Sequence, residues 1–315
     1  MDLTTTVGSV TLRNPILTAA GTTGHADELS RYMDFNRLGG VVAKSLSPQP
    51  WPGNPAPRLH PLPGGGMLNS VGLQNPGVAA WLADDLPRLR RAGATVIGGI
   101  WGGTAEEYAQ AAAALHGATS LIAALEVNLS CPNLGSPSGP PTGSPVASGR
   151  HEMFASTASG TAAVVAGSTG EVPLWAKLSA AVSDLPAVAA AALDAGAEAV
   201  TLINTMPAMA IDLEKRRPVL GGGGGGMSGP PLHPVAVRAV WECRRALGPV
   251  PIVAAGGVST GADAVELLMA GASAVQVGTA TFREPAAALR VLDEIEGWCE
   301  RHGVTSVSDL VGAAH

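Results

Sequence analysis

Lysine is nearly missing from this chain: Lys44, Lys177 and Lys215 are the only three in 315 residues, and arginine carries the rest of the positive charge. Charged residues of all kinds make up 14%, and the formal net charge is −6. Without a basic run there is no electrostatic footprint for nucleic acid, and without an acidic run there is no solvating tail. Cysteine is as scarce as lysine. Cys131, Cys243 and Cys299 lie far apart and lack metal-ligand spacing. That argues against a disulfide framework and a cysteine-held metal, and it predicts a reducing, cytoplasmic compartment. Cys243 and Cys299 fall in helical patterns, where an inert core thiol is the default. No apolar run is long enough for a membrane span, and the N-terminus lacks the basic-then-apolar order of a secretory leader.

What the chain does have is apolar bulk. It is 46% hydrophobic, enough for a sizeable core, with 41 glycines and 25 prolines punctuating the periodic segments. Residues 3–12 read as a hairpin turning at Gly8-Ser9. Short apolar runs then alternate with helical patterns. Strands are expected at 15–20, 40–44, 95–101, 121–130, 174–178, 199–205, 251–255 and 274–278. Helices are expected at 25–38, 78–92, 105–115, 152–168, 185–195, 234–247, 262–270 and 285–302. Ala92-Gly93-Ala94, Ala195-Gly196-Ala197 and Ala270-Gly271-Ala272 each close a helix and lead into a strand. Eight such units predict one α/β domain over 1–315, a (β/α)8 TIM barrel with a short N-terminal hairpin. A doubly wound sheet is the alternative, but no GxGxxG opens a helix after the first strand. Pro/Gly-rich stretches at 47–76, 132–149 and 206–231 read as long loops over the barrel's C-terminal face, with little regular structure.

A barrel carries its chemistry at the C-terminal strand ends. Lys44 ends the second strand, Asn128 and Cys131 end the fourth, Lys177 stands in the fifth, and Asn204-Thr205 ends the sixth. A lysine in an apolar strand is costly unless it has a task or a partner. Lys177 therefore either faces negative charge developing on a ligand or pairs with a core carboxylate. Gly256-Gly257 and Gly278-Thr279, on adjacent late strands, read as a phosphate cradle or as plain turns. Asn69, Asn128, Asn133 and Asn204 both donate and accept, which suits a flat ring with alternating C=O and N–H groups. Each alone also reads as a turn or cap residue. A thiol titrates nearer neutrality than a hydroxyl, so Cys131 suits proton transfer, while an Asx-rich turn around a small buried thiol is the plainer reading.

Several ordered motifs go further. They are Gly53-Asn54-Pro55 with Pro57-Arg58, the run Gly66-Met67-Leu68-Asn69-Ser70-Val71-Gly72-Leu73-Gln74-Asn75-Pro76-Gly77, and Asn128-Leu129-Ser130-Cys131-Pro132-Asn133. Asn204-Thr205, Met209-Ala210-Ile211-Asp212, Gly225-Gly226-Met227-Ser228-Gly229-Pro230, Gly256-Gly257-Val258 and Gln276-Val277-Gly278-Thr279-Ala280 follow. Over nearly its whole length the chain resembles the catalytic subunit of class 1 dihydroorotate dehydrogenase, especially class 1B.

The resemblance implies an FMN enzyme of pyrimidine biosynthesis that oxidises dihydroorotate to orotate. Cys131 would be the base taking the C5 proton while the C6 hydride passes to FMN. Lys44, Asn69, Ser70, Val71, Gly72, Leu73, Asn128, Asn133, Asn204 and Thr205 would bind substrate. Ala20, Gly21, Lys44, Ser45, Asn128, Lys177, Gly229, Gly256, Gly257, Gly278 and Thr279 would bind FMN. No residue is expected to hold a metal. Class 1B further implies a homodimer at the core of a heterotetramer, whose FAD and [2Fe–2S] subunit passes electrons to NAD. His233 departs from the family, where Lys often stands, and the Pro/Gly/Ser-rich loop at 136–145 is unusual beside Cys131. A class 1A enzyme would use fumarate instead, and a related flavin barrel acting on uracil-type rings would use the same amides. A non-enzymatic scaffold would hold no FMN.

Overall fold

The computed structural model describes residues 1–130 and 157–315. Eight parallel strands close into a barrel in chain order. They are β1 (Ile16–Thr18), β2 (Gly40–Val42), β3 (Val96–Ile100), β4 (Ala124–Asn128), β5 (Leu174–Leu178), β6 (Ala199–Leu202), β7 (Ile252–Ala255) and β8 (Ala274–Val277). The ring shuts where Val275 of β8 registers with Ile16 of β1. Every residue of these strands is buried, as expected for parallel strands covered on both faces.

The outer layer consists of α1 (Leu86–Arg91), α2 (Ala105–His116), α3 (Ala158–Ser168), α4 (Leu185–Asp194), α5 (His233–Leu247), α6 (Gly261–Met269) and α7 (Ala287–His302). Side-chain caps set the starts of α2, α4 and α6. Thr104 accepts from the Glu107 N–H, Asp184 from the Ala187 N–H, and Thr260 forms a reciprocal capping box with Asp263. The three Ala-Gly-Ala stops behave as expected, with φ of +80° at Gly93, +109° at Gly196 and +121° at Gly271. Cys243 and Cys299 are fully buried on α5 and α7.

Two expectations are corrected. The helix predicted at 25–38 is replaced by two 3-10 turns, Glu28–Arg31 and Phe35–Arg37. No residue of the first turn is fully buried, and Leu29 is the one that packs, partly buried, against the core, too little to hold a longer helix there. Asp34 then adopts an extended conformation and accepts from the Asn36 N–H at 2.9 Å, which restarts the chain. The long stretches at 47–76 and 206–231 are also more regular than expected. Leu59–Pro61 and Met67–Asn69 from the first join Met206–Ala208 and Gly225–Ser228 from the second in a four-stranded antiparallel sheet. Asn69 registers with Gly226 across it. The predicted helix at 152–168 is described from Ala158 onward, where Thr157 caps it. Cys131, Asn133 and the loop at 132–149 lie outside the described residues.

The barrel interior is layered by the two-residue period of its strands. A lower layer of Leu17, Val42, Ile97, Ala124, Trp175, Ala199, Val253 and Ala274 packs with Val7, Val10 and Leu12 of the N-terminal hairpin. The hairpin is tied to the segments that enter β6 and β8: Ser9 donates through N–H and hydroxyl to Glu198 at 2.7 and 2.6 Å, and the Thr5 hydroxyl donates to the Ser273 carbonyl at 2.8 Å. The hairpin thus stops the N-terminal end of the barrel. One step up, the interior turns polar at Glu126, Lys177, Thr201 and Gln276.

Candidate active site

The polar layer is the floor of a cavity at the C-terminal ends of the strands. Lys177 and Gln276 stand in its base. Four side chains from β4, β5, β6 and β8 satisfy one another there. The Lys177 ammonium donates to Glu126 Oε1 at 3.2 Å and to Gln276 Oε1 at 3.4 Å. Glu126 Oε2 accepts from the Thr201 hydroxyl at 3.1 Å and from the Gln276 amide at 2.6 Å. Glu126 is 1% exposed, and it is the core carboxylate that the reading of Lys177 left unnamed. Lys177 thus has the acid partner, and it also lines the cavity.

Above the floor the amides meet. Asn204 Nδ2 lies 3.1 Å from Asn128 Oδ1, from the Ser130 carbonyl and from the Ser130 hydroxyl. Its own carbonyl accepts from the Thr205 N–H at 2.8 Å. Asn128 Nδ2 donates to the Ser45 hydroxyl at 3.1 Å, and the Asn128 backbone carbonyl accepts from the buried Tyr108 hydroxyl at 2.7 Å. The ends of β2, β4 and β6 are therefore cross-linked by side chains. Asn69 reaches the cavity from the small sheet, with its amide donating to the Gly226 carbonyl at 3.1 Å.

Of the residues expected to bind substrate, Lys44, Asn69, Val71, Gly72, Leu73, Asn128, Asn204 and Thr205 line this cavity. Ser70 does not; it is 1% exposed and its hydroxyl accepts from the Asn54 amide at 3.0 Å, inside the loop. Every residue expected to bind the cofactor lines the cavity: Ala20, Gly21, Lys44, Ser45, Asn128, Lys177, Gly229, Gly256, Gly257, Gly278 and Thr279. Cys131 and Asn133 follow Ser130 in sequence and lie outside the described residues. Sequence reasoning missed Gln276 in the floor and the apolar wall of Leu59, Met67 and Phe282. Gln276 had a signal, a polar residue inside the run Ala274-Val275-Gln276-Val277. His233 packs beneath the Gly256-Gly257 turn, with its ring 3.0 Å from the Gly256 carbonyl and 3.0 Å from Glu266. Outside the cavity lining, burial and then the Lys44 ammonium hold the His25 imidazole pKa below its ordinary value.

A sequence profile of the dihydroorotate dehydrogenase family matches residues 2–298. The chain belongs to that family. It is an oxidoreductase on a (β/α)8 barrel, and the dihydroorotate dehydrogenases are flavin-dependent enzymes. A curated relative from Pelobacter propionicus, named dihydroorotate dehydrogenase B (NAD(+)), catalytic subunit, is 45% identical over 313 residues, covering 99% of this chain and 98% of the relative. One of the same name from Desulforudis audaxviator is 45% identical over 311 residues, covering 98% and 96%. A crystal structure of the Eimeria tenella dihydroorotate dehydrogenase in complex with ferulenol superposes with a TM-score of 0.79. It covers all of this chain and 89% of that one at 23% identity, a likeness of fold. Among the described residues of this family member, no helix is long and apolar enough to cross a membrane.

The cavity lining suits a flavin, the cofactor of this family. Gly21 has φ +80°, and a Cβ built there meets only Lys44 Cγ, at 3.9 Å, so the wall leaves open space where a side chain would stand. Amide groups, a cationic floor and glycine turns on neighbouring strands are the donor set that a flat polar ring with a phosphate tail requires.

Proposed function

We propose that this chain oxidises (S)-dihydroorotate to orotate in pyrimidine biosynthesis, with one FMN per subunit. The observation that carries the reading is the gathering of Asn69, Asn128, Asn204, Lys44 and Lys177 around one cavity whose far wall is Gly256-Gly257 and Gly278-Thr279. FMN bound there supplies the two-electron acceptor for the hydride leaving substrate C6. Asn69, Asn128 and Asn204, with Asn133 and Thr205, hold the pyrimidine ring through its carbonyl and N–H groups. The cross-links among β2, β4 and β6 keep Asn128 and Asn204 aimed before substrate arrives, so their orientation is built in. Val71, Gly72 and Leu73 close the ring's edge and exclude water, and Ser70 acts from behind by fixing the loop. Lys177 presents a cation at the cavity floor, and Lys44 does the same beside it. Cys131 removes the C5 proton.

The same reading extends to assembly. Residues 1–315 act as one catalytic domain in the cytoplasm, paired as the homodimer core of a heterotetramer. A partner subunit holding FAD and a [2Fe–2S] cluster takes the electrons to NAD. The name shared by the two bacterial relatives, an NAD(+)-dependent catalytic subunit, supports this. So does the placement of Cys243 and Cys299, buried on separate helices and unsuited to holding a cluster for onward transfer.

The test is anaerobic rapid mixing of the FMN-loaded chain with dihydroorotate, following loss of flavin absorbance. Wild type is expected to bleach with dihydroorotate and to ignore dihydrouracil. Cys131→Ser is expected to keep FMN and bleach ~10²–10⁴-fold more slowly at neutral pH, the usual contribution of a general base. Wild-type bleaching rates in that variant, or equal rates with dihydrouracil, would overturn the assignment.

A further inference from the structure

Glu126 is a charged group to which this reaction gives no part. It is buried at mid-barrel, and each of its oxygens has a donor. A buried ion pair adds little net stability, and an apolar filling of the same layer would serve as well. Stability alone therefore does not account for four polar side chains converging from β4, β5, β6 and β8. The hydrogen-bond count shows what the arrangement accomplishes. An ammonium has three N–H groups. Lys177 directs two of them to Glu126 Oε1 and Gln276 Oε1, and its remaining face lines the cavity. Thr201 and the Gln276 amide hold the other carboxylate oxygen, so Glu126 has no freedom to swing away.

We infer that Glu126 is a positioning residue for the redox step: clamped by Thr201 and Gln276, it fixes the Lys177 ammonium at the cavity floor and supplies the counter-charge that lets a cation stand there. The inference rests on the cavity holding FMN. Removing the carboxylate leaves an uncompensated charge in the barrel interior. The ammonium relieves it by retreating from the floor, and the flavin loses a cation nearby. Negative charge gained on reduction is then less well offset, and the reduced form is disfavoured.

The experiment measures the equilibrium between oxidised and reduced flavin in the FMN-loaded protein against a reference dye. Wild type, Glu126→Gln and Thr201→Val are compared, each with Lys177 intact and with Lys177→Met. FMN affinity is titrated alongside. Glu126→Gln is expected to disfavour the reduced form about tenfold, a fall of ~30 mV for a two-electron couple. Thr201→Val, which removes one of the donors holding Glu126, is expected to shift it the same way by less. With Lys177→Met in place neither substitution should shift it further. A purely structural Glu126 would lower thermal stability and leave the equilibrium where it was. No shift in either variant, an upward shift, or the same shift without Lys177 overturns the inference while FMN binding stands. A wild-type chain that holds no FMN overturns the flavin reading and the inference together. If Glu126→Gln does not fold, Thr201→Val decides alone.

Discussion

Replacing Asn204 with alanine tests whether the amide cross-link is the working part of the site. The Asn204 amide has two hydrogens for three acceptors at 3.1 Å, so it makes at most two full bonds, to Asn128 and to Ser130. Its carbonyl takes one more, from the Thr205 N–H. At roughly 1 kcal/mol for each bond, the alanine variant gives up about 3 kcal/mol of local order. Asn128 keeps its bond to Ser45 and the support of Tyr108, so the strand end stays in place while its side chain loses its stop. At 1.4 kcal/mol per factor of ten, complete transfer of that loss to the transition state would cut kcat/KM for dihydroorotate about a hundredfold. Partial transfer, with Asn128 held on one side, gives a loss of between ~10 and ~100-fold. The assay is steady-state turnover of the FMN-loaded variant with thermal unfolding run in parallel, and the flavin spectrum is expected to be unchanged. A kcat/KM within threefold of wild type would show that the cross-link is packing without function.

Gly21→Leu should fold but fail to hold FMN, because φ of +80° strains any side chain there by ~1–3 kcal/mol and the added group enters the cavity; full flavin occupancy in the purified variant would refute the placement. His25 gives a pH dependence. Its lowered native pKa means the unfolded chain binds the extra proton as pH drops below 6.5, so the contribution is full above 6.5 and is lost as pH falls from there towards the lowered native pKa. Urea midpoints at several pH values should show a slope of up to ~1.4 kcal/mol per unit that flattens in His25→Gln, and an unflattened slope would assign it elsewhere. The Cys243 thiol, pushed up to about 12 chiefly by burial and further by Glu242 and Asp184, should resist thiol reagents at pH 8 until the protein is unfolded. Rapid labelling of Cys243 in the native state would contradict that burial.

The barrel was readable because its strands are buried on both sides and so appear as short, mostly apolar runs, three of them entered just after a glycine that stops the preceding helix. The helix at 25–38 misled because a single Asx side chain, at Asp34, outweighs a weak propensity when the turn before it has only the partly buried Leu29 to anchor it. The small sheet was hidden for a different reason. Its strands are three or four residues long, and one begins inside a glycine run, where local rules expect a turn. Within the site, Lys177 drew notice as a charge in an apolar strand. Glu126 and Gln276 obey the same logic, and only the closure of the barrel shows that all three belong to one cluster.

The pairing of Met67–Asn69 with Gly225–Ser228 has a further consequence for how the enzyme can vary. Two loops separated by more than 150 residues are locked to each other by strand register, through Asn69 and Gly226. Met67 and Asn69 face the cavity, while Leu68 between them is 1% exposed and does not line it. Because alternate side chains point to opposite faces, one residue gained or lost in either arm that moved the pairing by one place would carry Leu68 to the cavity and send the Asn69 amide into the packed side. The two arms therefore share a common length standard. Either arm can change length freely only beyond its paired segment, as in the ribbon of Ile211–Asp212 and Arg217–Pro218.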